Sequence, residues 1–261
     1  MPAADPTTAS PTSSDDVAGQ LRDDADVVTS LESEPMARRI GLFGGTFDPP
    51  HVGHLVTAVN VRHALGLDEV VLMVANVPWQ KAALRNISPA EDRFAMVEAA
   101  VGEVEGLVAG RTEIDHGGPS YTADTLAALA GANVGAELFT IVGDDAAAGI
   151  TTWERHDEVV ALSHLVVVDR PGAPVELPDD IAWLRVEVPR LEVSSTDLRE
   201  RVRDGRPLDY LLTEPVLQIV RERSLYLATG GDAAAVESDV DSDVNSDVDS
   251  GVDAPDRSGL G

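Results

Sequence analysis

The sequence predicts an α/β fold built on a doubly wound parallel sheet. Short apolar, β-branched runs recur between residues 37 and 230 with little polar alternation, as strands buried on both faces require. Stretches of helical periodicity separate them, so strand and helix take turns along the chain. Glycine stands just past several of those stretches, where a left-handed cap residue is favoured.

Taken in order, the strand candidates are Arg39–Phe43, Val70–Val74, Leu138–Val142, Leu165–Val168 and Leu184–Val188, with a weaker one at Leu107–Ile114. The helices expected between them are His51–Leu65 closed by Gly66, Ala90–Val101 closed by Gly102, Tyr121–Ala130 closed by Gly131, and Glu154–Leu162. Ser88-Pro89-Ala90-Glu91 is read as a start signal, with Ser88 as the cap, proline in the first turn and glutamate three residues on. Two further helices, Ser195–Asp204 and Pro215–Tyr226, complete one domain over residues 37–229. In such a sheet, ligands sit at the carboxyl ends of the strands.

Both ends of the chain differ from this middle. Residues 1–36 carry eight acidic side chains against Arg22 and have no apolar period, so a disordered extension is expected, with Met36 the expected start of translation. Residues 230–261 carry nine acidic side chains against Arg257 and contain the quasi-repeat SDVDSDVNSDVDSGVD. Its Asp-x-Asp spacing resembles a calcium loop, but the glycine and closing glutamate are out of place, and a solvated acidic tail is the reading. The net charge of −27 therefore sits largely at the ends, yet the middle retains −12 and offers no basic footprint for nucleic acid. No stretch has the roughly 20 apolar residues that span a bilayer, and no signal peptide is visible. With no cysteine, disulfide and thiolate chemistry are excluded and a cytoplasmic location is expected. Self-association is left open.

The densest stretch is GLFGGTFDPPHVGHL, residues 41–55. The first strand runs into Gly44-Gly45-Thr46-Phe47 at the ligand edge, where glycines admit positive φ and let backbone N–H groups approach an anion. Pro49 and Pro50 hold the chain extended ahead of a helix. His51 and His54, three apart, fall on one face of its first turn, beside unpaired N–H groups and the positive end of the helix dipole. A metal pair is the rival reading, but zinc wants a third and fourth ligand, and without cysteine these would come from afar. Far along the chain, Ser194-Ser195-Thr196-Asp197-Leu198-Arg199 reads as a serine-capped helix start that brings hydroxyls and an arginine fork suited to phosphate oxygens.

GxFDPxHxGH resembles the signature of the nucleotidyltransferase α/β superfamily of HIGH type. Other stretches resemble, within it, the bacterial nicotinate-nucleotide adenylyltransferases. They are Asn76-Val77-Pro78-Trp79-Gln80-Lys81, Gly118–Thr122 with Asp124-Thr125-Leu126, Gly143-Asp144-Asp145 with Trp153, Arg170-Pro171-Gly172, and Ser194–Arg199. The likeness runs in order from Arg39 to Tyr226, and the Pro78–Lys81 variant is similar to actinobacterial members.

The resemblance implies a Rossmann-like fold and transfer of the adenylyl group of ATP to nicotinate mononucleotide, giving deamido-NAD and pyrophosphate. It implies that His51, His54 and Arg199 act on the phosphates, with Gly44, Gly45, Thr46, Phe47, Ser194, Ser195 and Thr196 around ATP and Asp145 at the adenosine. Asn76, Tyr121, Thr122 and Trp153 belong on the pyridine-nucleotide side, Trp153 stacking on the ring, with Lys81 and Arg170 as basic contacts. Glu154 departs from relatives with an uncharged residue there, and is expected to point outward, away from the substrate carboxylate. Mg²⁺ is expected to arrive with ATP, held by phosphates and water, and no protein metal site is expected. The alternatives are a sister transferase preferring nicotinamide mononucleotide, or a nucleotide-sensing module without turnover.

Overall fold

In the computed structural model, residues 37–78, 87–169 and 176–227 are described. The expected acidic extension and tail, and the candidate site residues Lys81 and Arg170, lie outside the described residues. Six strands, β1 (Arg39–Gly45), β2 (Glu69–Val74), β3 (Leu107–Gly110), β4 (Glu137–Gly143), β5 (His164–Asp169) and β6 (Trp183–Glu187), form one sheet. Their order is β3-β2-β1-β4-β5-β6, and every neighbouring pair is parallel. The chain steps outward from β1 to β3, then returns to add β4 on the other side of β1. The crevice above β1 and β4 is thus where the direction of winding reverses, the place where such sheets hold ligands.

The helices among the described residues are α1 (Val52–Leu65), α2 (Ala90–Val101), α3 (Thr112–His116), α4 (Thr122–Ala132), α5 (Asp144–Ala148), α6 (His156–Leu162), α7 (Ser195–Arg203) and α8 (Glu214–Glu222). Successive strand residues point to opposite faces, and β2 shows why its run is apolar throughout. Val70, Leu72 and Val74 pack in a cluster with Ala58 and Val61 of α1 and Val97 and Val101 of α2. Val71 and Met73 pack on the other face with Ala123 and Leu126 of α4 and Val159 of α6. Each such side chain contributes about 1.5–3 kcal/mol by leaving water. A third cluster joins α2 (Met96), α7 (Leu198) and α8 (Leu217), which seats the last two helices beside α2.

Several element ends differ from the expectation. The run Leu107–Ile114 is a strand only to Gly110, whose bare Cα lets Val71 and Met73 approach; the polar residues beyond it form α3. Gly66 is left-handed as expected (φ 58°), but Gly102 is right-handed (φ −54°), and Gly131 lies inside α4, which closes at Asn133. Ser88 does not cap α2: Pro89 holds the N-cap place, and the Ser88 backbone N–H goes to Asp48. His51 is the N-cap of α1 rather than its first helical residue. Arg155 at φ 55° delays α6 to His156, and Ser224 and Tyr226, at φ 50° and 67°, end the last helix early.

Candidate active site

Two adjoining cavities open over the β1–β4 crevice, of about 780 Å³ and about 270 Å³. Phe43, Gly44, Gly45, Thr46 and Gly143 belong to the walls of both. Neither Gly44 nor Gly45 uses the positive φ open to glycine; both are extended and close β1. A Cβ on Gly44 would meet no protein atom within 4 Å, whereas one on Gly45 would lie 2.7 Å from the Phe47 ring. The left-handed residue of this turn is Phe47 itself, at φ 50°, and its ring is buried under the strand end.

The larger cavity is flanked by His51 and His54 on one side and by Ser194–Thr196 and Arg199 on the other. The His51 backbone N–H donates to Nδ1 of His54 at 3.1 Å, which leaves Nε2 as the hydrogen-bearing nitrogen of that ring. The two rings stack at 3.7 Å, and Phe47 meets His54 edge-on at 4.9 Å. His51 is only 8 % exposed, and burial pushes its pKa down to about 4, so the ring is neutral near pH 7. Its Nδ1 is buried without a hydrogen-bond partner among the described residues. A Cβ at residue 53 would lie 3.0 Å from that nitrogen and from Val193, so Gly53 permits the close seating of His51.

From the other side, Ser194 Oγ caps α7 by accepting the Asp197 N–H at 3.2 Å. Ser195 Oγ donates to the Pro49 carbonyl at 2.9 Å, and Arg199 Nη1 donates to the Asp48 carbonyl at 2.8 Å. Arg199 Nη2 reaches Thr196 Oγ1 at 3.2 Å, so three of its five N–H groups stay uncommitted by these bonds. The start of α7 is thereby fastened to the turn that leads into α1.

A buried polar frame supports this turn. Asp48 is 3 % exposed; its Oδ2 accepts the Ser88 N–H at 3.1 Å and its Oδ1 the Tyr226 hydroxyl at 2.6 Å. Burial first, and the adjacent Asp48 second, push the Tyr226 hydroxyl's pKa far up, keeping it a donor. Arg93, 1 % exposed, gives Nη1 to the carbonyls of Thr46 (2.9 Å) and Ala75 (2.6 Å), Nη2 to Asn76 (2.9 Å) and Nε to Ser88 (2.9 Å). One guanidinium thus ties together the carboxyl ends of β1 and β2. Its pKa is lowered by burial, with Asp48 the first charge to oppose that.

The smaller cavity is lined by Ala75, Pro78, Glu113, Ser120, Thr122 and Trp153, besides the shared wall. Trp153 Nε1 is buried and has no partner among the described residues. Among those residues, too, no group of three or more His, Asp or Glu is placed to hold a metal ion, and no helix is long and apolar enough to cross a membrane.

Comparison with known proteins matches residues 42–201 to the cytidylyltransferase-like family, a span that begins in β1 and ends in α7. The chain belongs to the cytidylyltransferase-like family. It is 43% identical over 203 residues to a protein of Mycolicibacterium vanbaalenii, covering 74% of this chain and 94% of the relative. It is 45% identical over 203 residues to one of Mycobacterium avium, with the same coverage. Both are named "Probable nicotinate-nucleotide adenylyltransferase". Among solved structures, Plasmodium falciparum nicotinic acid mononucleotide adenylyltransferase, complexed with NaAD, superposes with a TM-score of 0.59 over 72% of this chain and 97% of that one, at 14% identity. At that identity the likeness concerns the fold.

In this cytidylyltransferase-like chain, the residues expected around ATP meet at one cavity: Gly44, Gly45, Thr46, Phe47, His51, His54, Asp145, Ser194, Ser195, Thr196 and Arg199 all line it. The Ser195 hydroxyl differs from expectation, because its hydrogen is given to Pro49 and not to the cavity. Thr122 and Trp153 line the smaller cavity, but Asn76 lines neither. Its Nδ2 donates to the Gly118 carbonyl at 2.9 Å. Tyr121 faces a separate small cavity instead, beside His116 and Asp124. Glu154 is exposed and lines neither main cavity, as expected of an outward-pointing residue. Asp48, Arg93 and Tyr226 were missed from the sequence. Arg93 left a signal, since it shares the i, i+3, i+4, i+7 stripe of α2 with buried Met96, Val97 and Ala100.

Proposed function

We propose that this chain is a nicotinate-nucleotide adenylyltransferase, joining the adenylyl group of ATP to nicotinate mononucleotide. One observation carries the reading: two cavities of unequal size share the wall Gly44-Gly45-Thr46, and the larger alone is flanked by His54 and Arg199. ATP takes the larger cavity, with Asp145 toward its adenosine and the phosphates between the start of α1 and the start of α7. The pyridine ring takes the smaller one, between Thr122 and Trp153. The nucleotide's phosphate then reaches the α-phosphate across the glycines, where no Cβ intervenes.

A phosphate oxygen of nicotinate mononucleotide attacks the α-phosphorus, a new P–O bond forms, and the bond to the bridging oxygen breaks. Pyrophosphate leaves with that electron pair, and deamido-NAD remains. The nucleophile is already ionised, so no residue needs to remove a proton, and catalysis rests on alignment and on charge neutralisation. His51 is neutral, so positive charge comes from Arg199, with Arg190 and Arg203 on the same cavity wall, and N–H donors come from His54 and from the helix ends. Mg²⁺ enters as part of the nucleotide substrate, since phosphates and water satisfy its octahedron. Lys81 and Arg170 are proposed as phosphate and substrate contacts on the sequence resemblance.

The test is pyrophosphate release from Mg-ATP with nicotinate mononucleotide and, separately, with nicotinamide mononucleotide. The acid is expected to be the better substrate by kcat/KM. A clear preference for the amide, or binding of ATP with no release for either, would refute the proposal.

A further inference from the structure

Glu113 stands on α3, just past the end of β3, and its carboxylate is part of the smaller cavity's wall. The reaction as described gives it no part, yet it accepts hydrogen bonds from two hydroxyls on neighbouring segments. Its Oε1 accepts the Thr125 hydroxyl at 2.7 Å, and the Ser120 hydroxyl bonds to the same carboxylate. Ser120 Oγ in turn accepts the backbone N–H of Asn76 at 2.8 Å. A hydroxyl has one hydrogen to give. Because Glu113 takes it, Ser120 presents a lone pair to Asn76. The Asn76 side chain closes the circuit on the Gly118 carbonyl at 2.9 Å.

The bonds therefore run from the end of β2, through the 118–121 loop, to the first turns of α4. These are the segments that hold Ala75, Pro78, Ser120 and Thr122 against the pocket. Both hydroxyls end on Glu113. Thr125 is itself almost fully buried, and its hydroxyl's other acceptor within reach, the Tyr121 carbonyl, is farther away at 3.3 Å than Glu113 at 2.7 Å. Burial pushes the Glu113 carboxyl's pKa up, while the two hydroxyls and Arg93 pull it back.

We propose that Glu113 is a positioning residue for the pyridine-nucleotide pocket, its carboxylate fixing the Ser120 and Thr125 hydroxyls and through them, by way of the Asn76 backbone, the spacing of the Ala75 and Thr122 walls. The proposal rests on the substrate assignment above for its kinetic readout, though not for its structural one. Glu113→Ala is expected to raise KM for nicotinate mononucleotide about tenfold, the effect of one lost charge-assisted hydrogen bond, with kcat and KM for ATP within about twofold. Glu113→Gln keeps the volume and one acceptor oxygen, so its KM is expected between wild type and Glu113→Ala. Amide hydrogen exchange supplies a second reading: the Asn76 N–H should exchange faster in Glu113→Ala while core amides of β1 and β4 keep their protection. A KM for nicotinate mononucleotide unchanged in Glu113→Ala, or KM values for both substrates rising together, would overturn the proposal, as would unchanged exchange at Asn76. Should Glu113→Ala not fold, Ser120→Ala cuts the same circuit at one link and carries the same expectations. Wild-type protein inactive on any pyridine mononucleotide would sink the functional reading, and the Asn76 exchange rate would still decide the role of Glu113.

Discussion

Replacing His51 by glutamine should flatten one limb of the protein's stability-versus-pH curve. In the folded chain the ring is buried and its pKa lies at about 4, against 6.5 for an exposed histidine. Above pH 6.5 both folded and unfolded chains hold a neutral ring, and the site has no pH dependence. Between 6.5 and 4 the unfolded chain takes up a proton that the folded one refuses, so stability falls as pH falls. Two and a half pH units, at about 1.4 kcal/mol each, set a limit of about 3.5 kcal/mol, of which about 3 kcal/mol is lost by pH 4, where the folded ring is itself half protonated. Glu113 works in the opposite sense, its carboxyl raised by burial, but it is common to both proteins and cancels in the comparison. Urea unfolding followed by circular dichroism at steps from pH 7.5 to 4 gives the two curves. Their difference should change by about 3 kcal/mol across that range. Parallel curves would show that the ring reaches water, and the neutral His51 of the mechanism would go with them.

Three further expectations concern the site's frame. His54→Ala and Arg199→Ala should each lower kcat about 10²–10³-fold with an unchanged circular dichroism spectrum, and near-normal pyrophosphate release in both would overturn the two-sided clamp. Gly44→Ala and Gly45→Ala should part company. The first folds normally but puts a methyl into the shared wall and costs about tenfold or more in turnover, while the second meets the Phe47 ring at 2.7 Å and loses about 1–3 kcal/mol of stability. Thermal melting beside a turnover assay separates the pair, and equal melting points would contradict the packing. Arg93→Met keeps the apolar stem but orphans four carbonyls, and should destabilise by about 3–5 kcal/mol in urea unfolding; a loss below about 1 kcal/mol would mean that water replaces the guanidinium.

What could be read from the sequence was whatever its neighbours in the chain decide. Val70–Val74 declares itself because a strand covered on both faces must be apolar at every step. Ser194 declares its cap because the bonded N–H is only three residues away. His51 and His54 could be paired by their three-residue spacing at a helix start, which the structure makes N-cap and third helical residue. Where the reading failed, the deciding contact was remote or the local signal was ambiguous. A glycine after a helical run signals a stop only if the backbone turns left-handed, as Gly66 does and Gly102 and Gly131 do not. Gly44 and Gly45 matter for missing side chains rather than for unusual dihedrals. Asp48 sits in the motif, but its partners are 40 and 178 residues away, so its role as an anchor has no local trace.

That longest bond has a consequence for how the protein is made. The turn at residue 48 is synthesised early, yet Tyr226, which holds its carboxylate, emerges from the ribosome 178 residues later. Arg199, which holds its carbonyl, comes 151 residues later. Domains fold from the N-terminus as they are translated. Here the sheet's first strands exist long before the turn at residue 48 has the last two groups that hold it. A nascent chain stopped short of residue 199 has both histidines, with Ser88 and Arg93, but neither of these two late anchors, so the candidate site is among the last features of the domain to take shape.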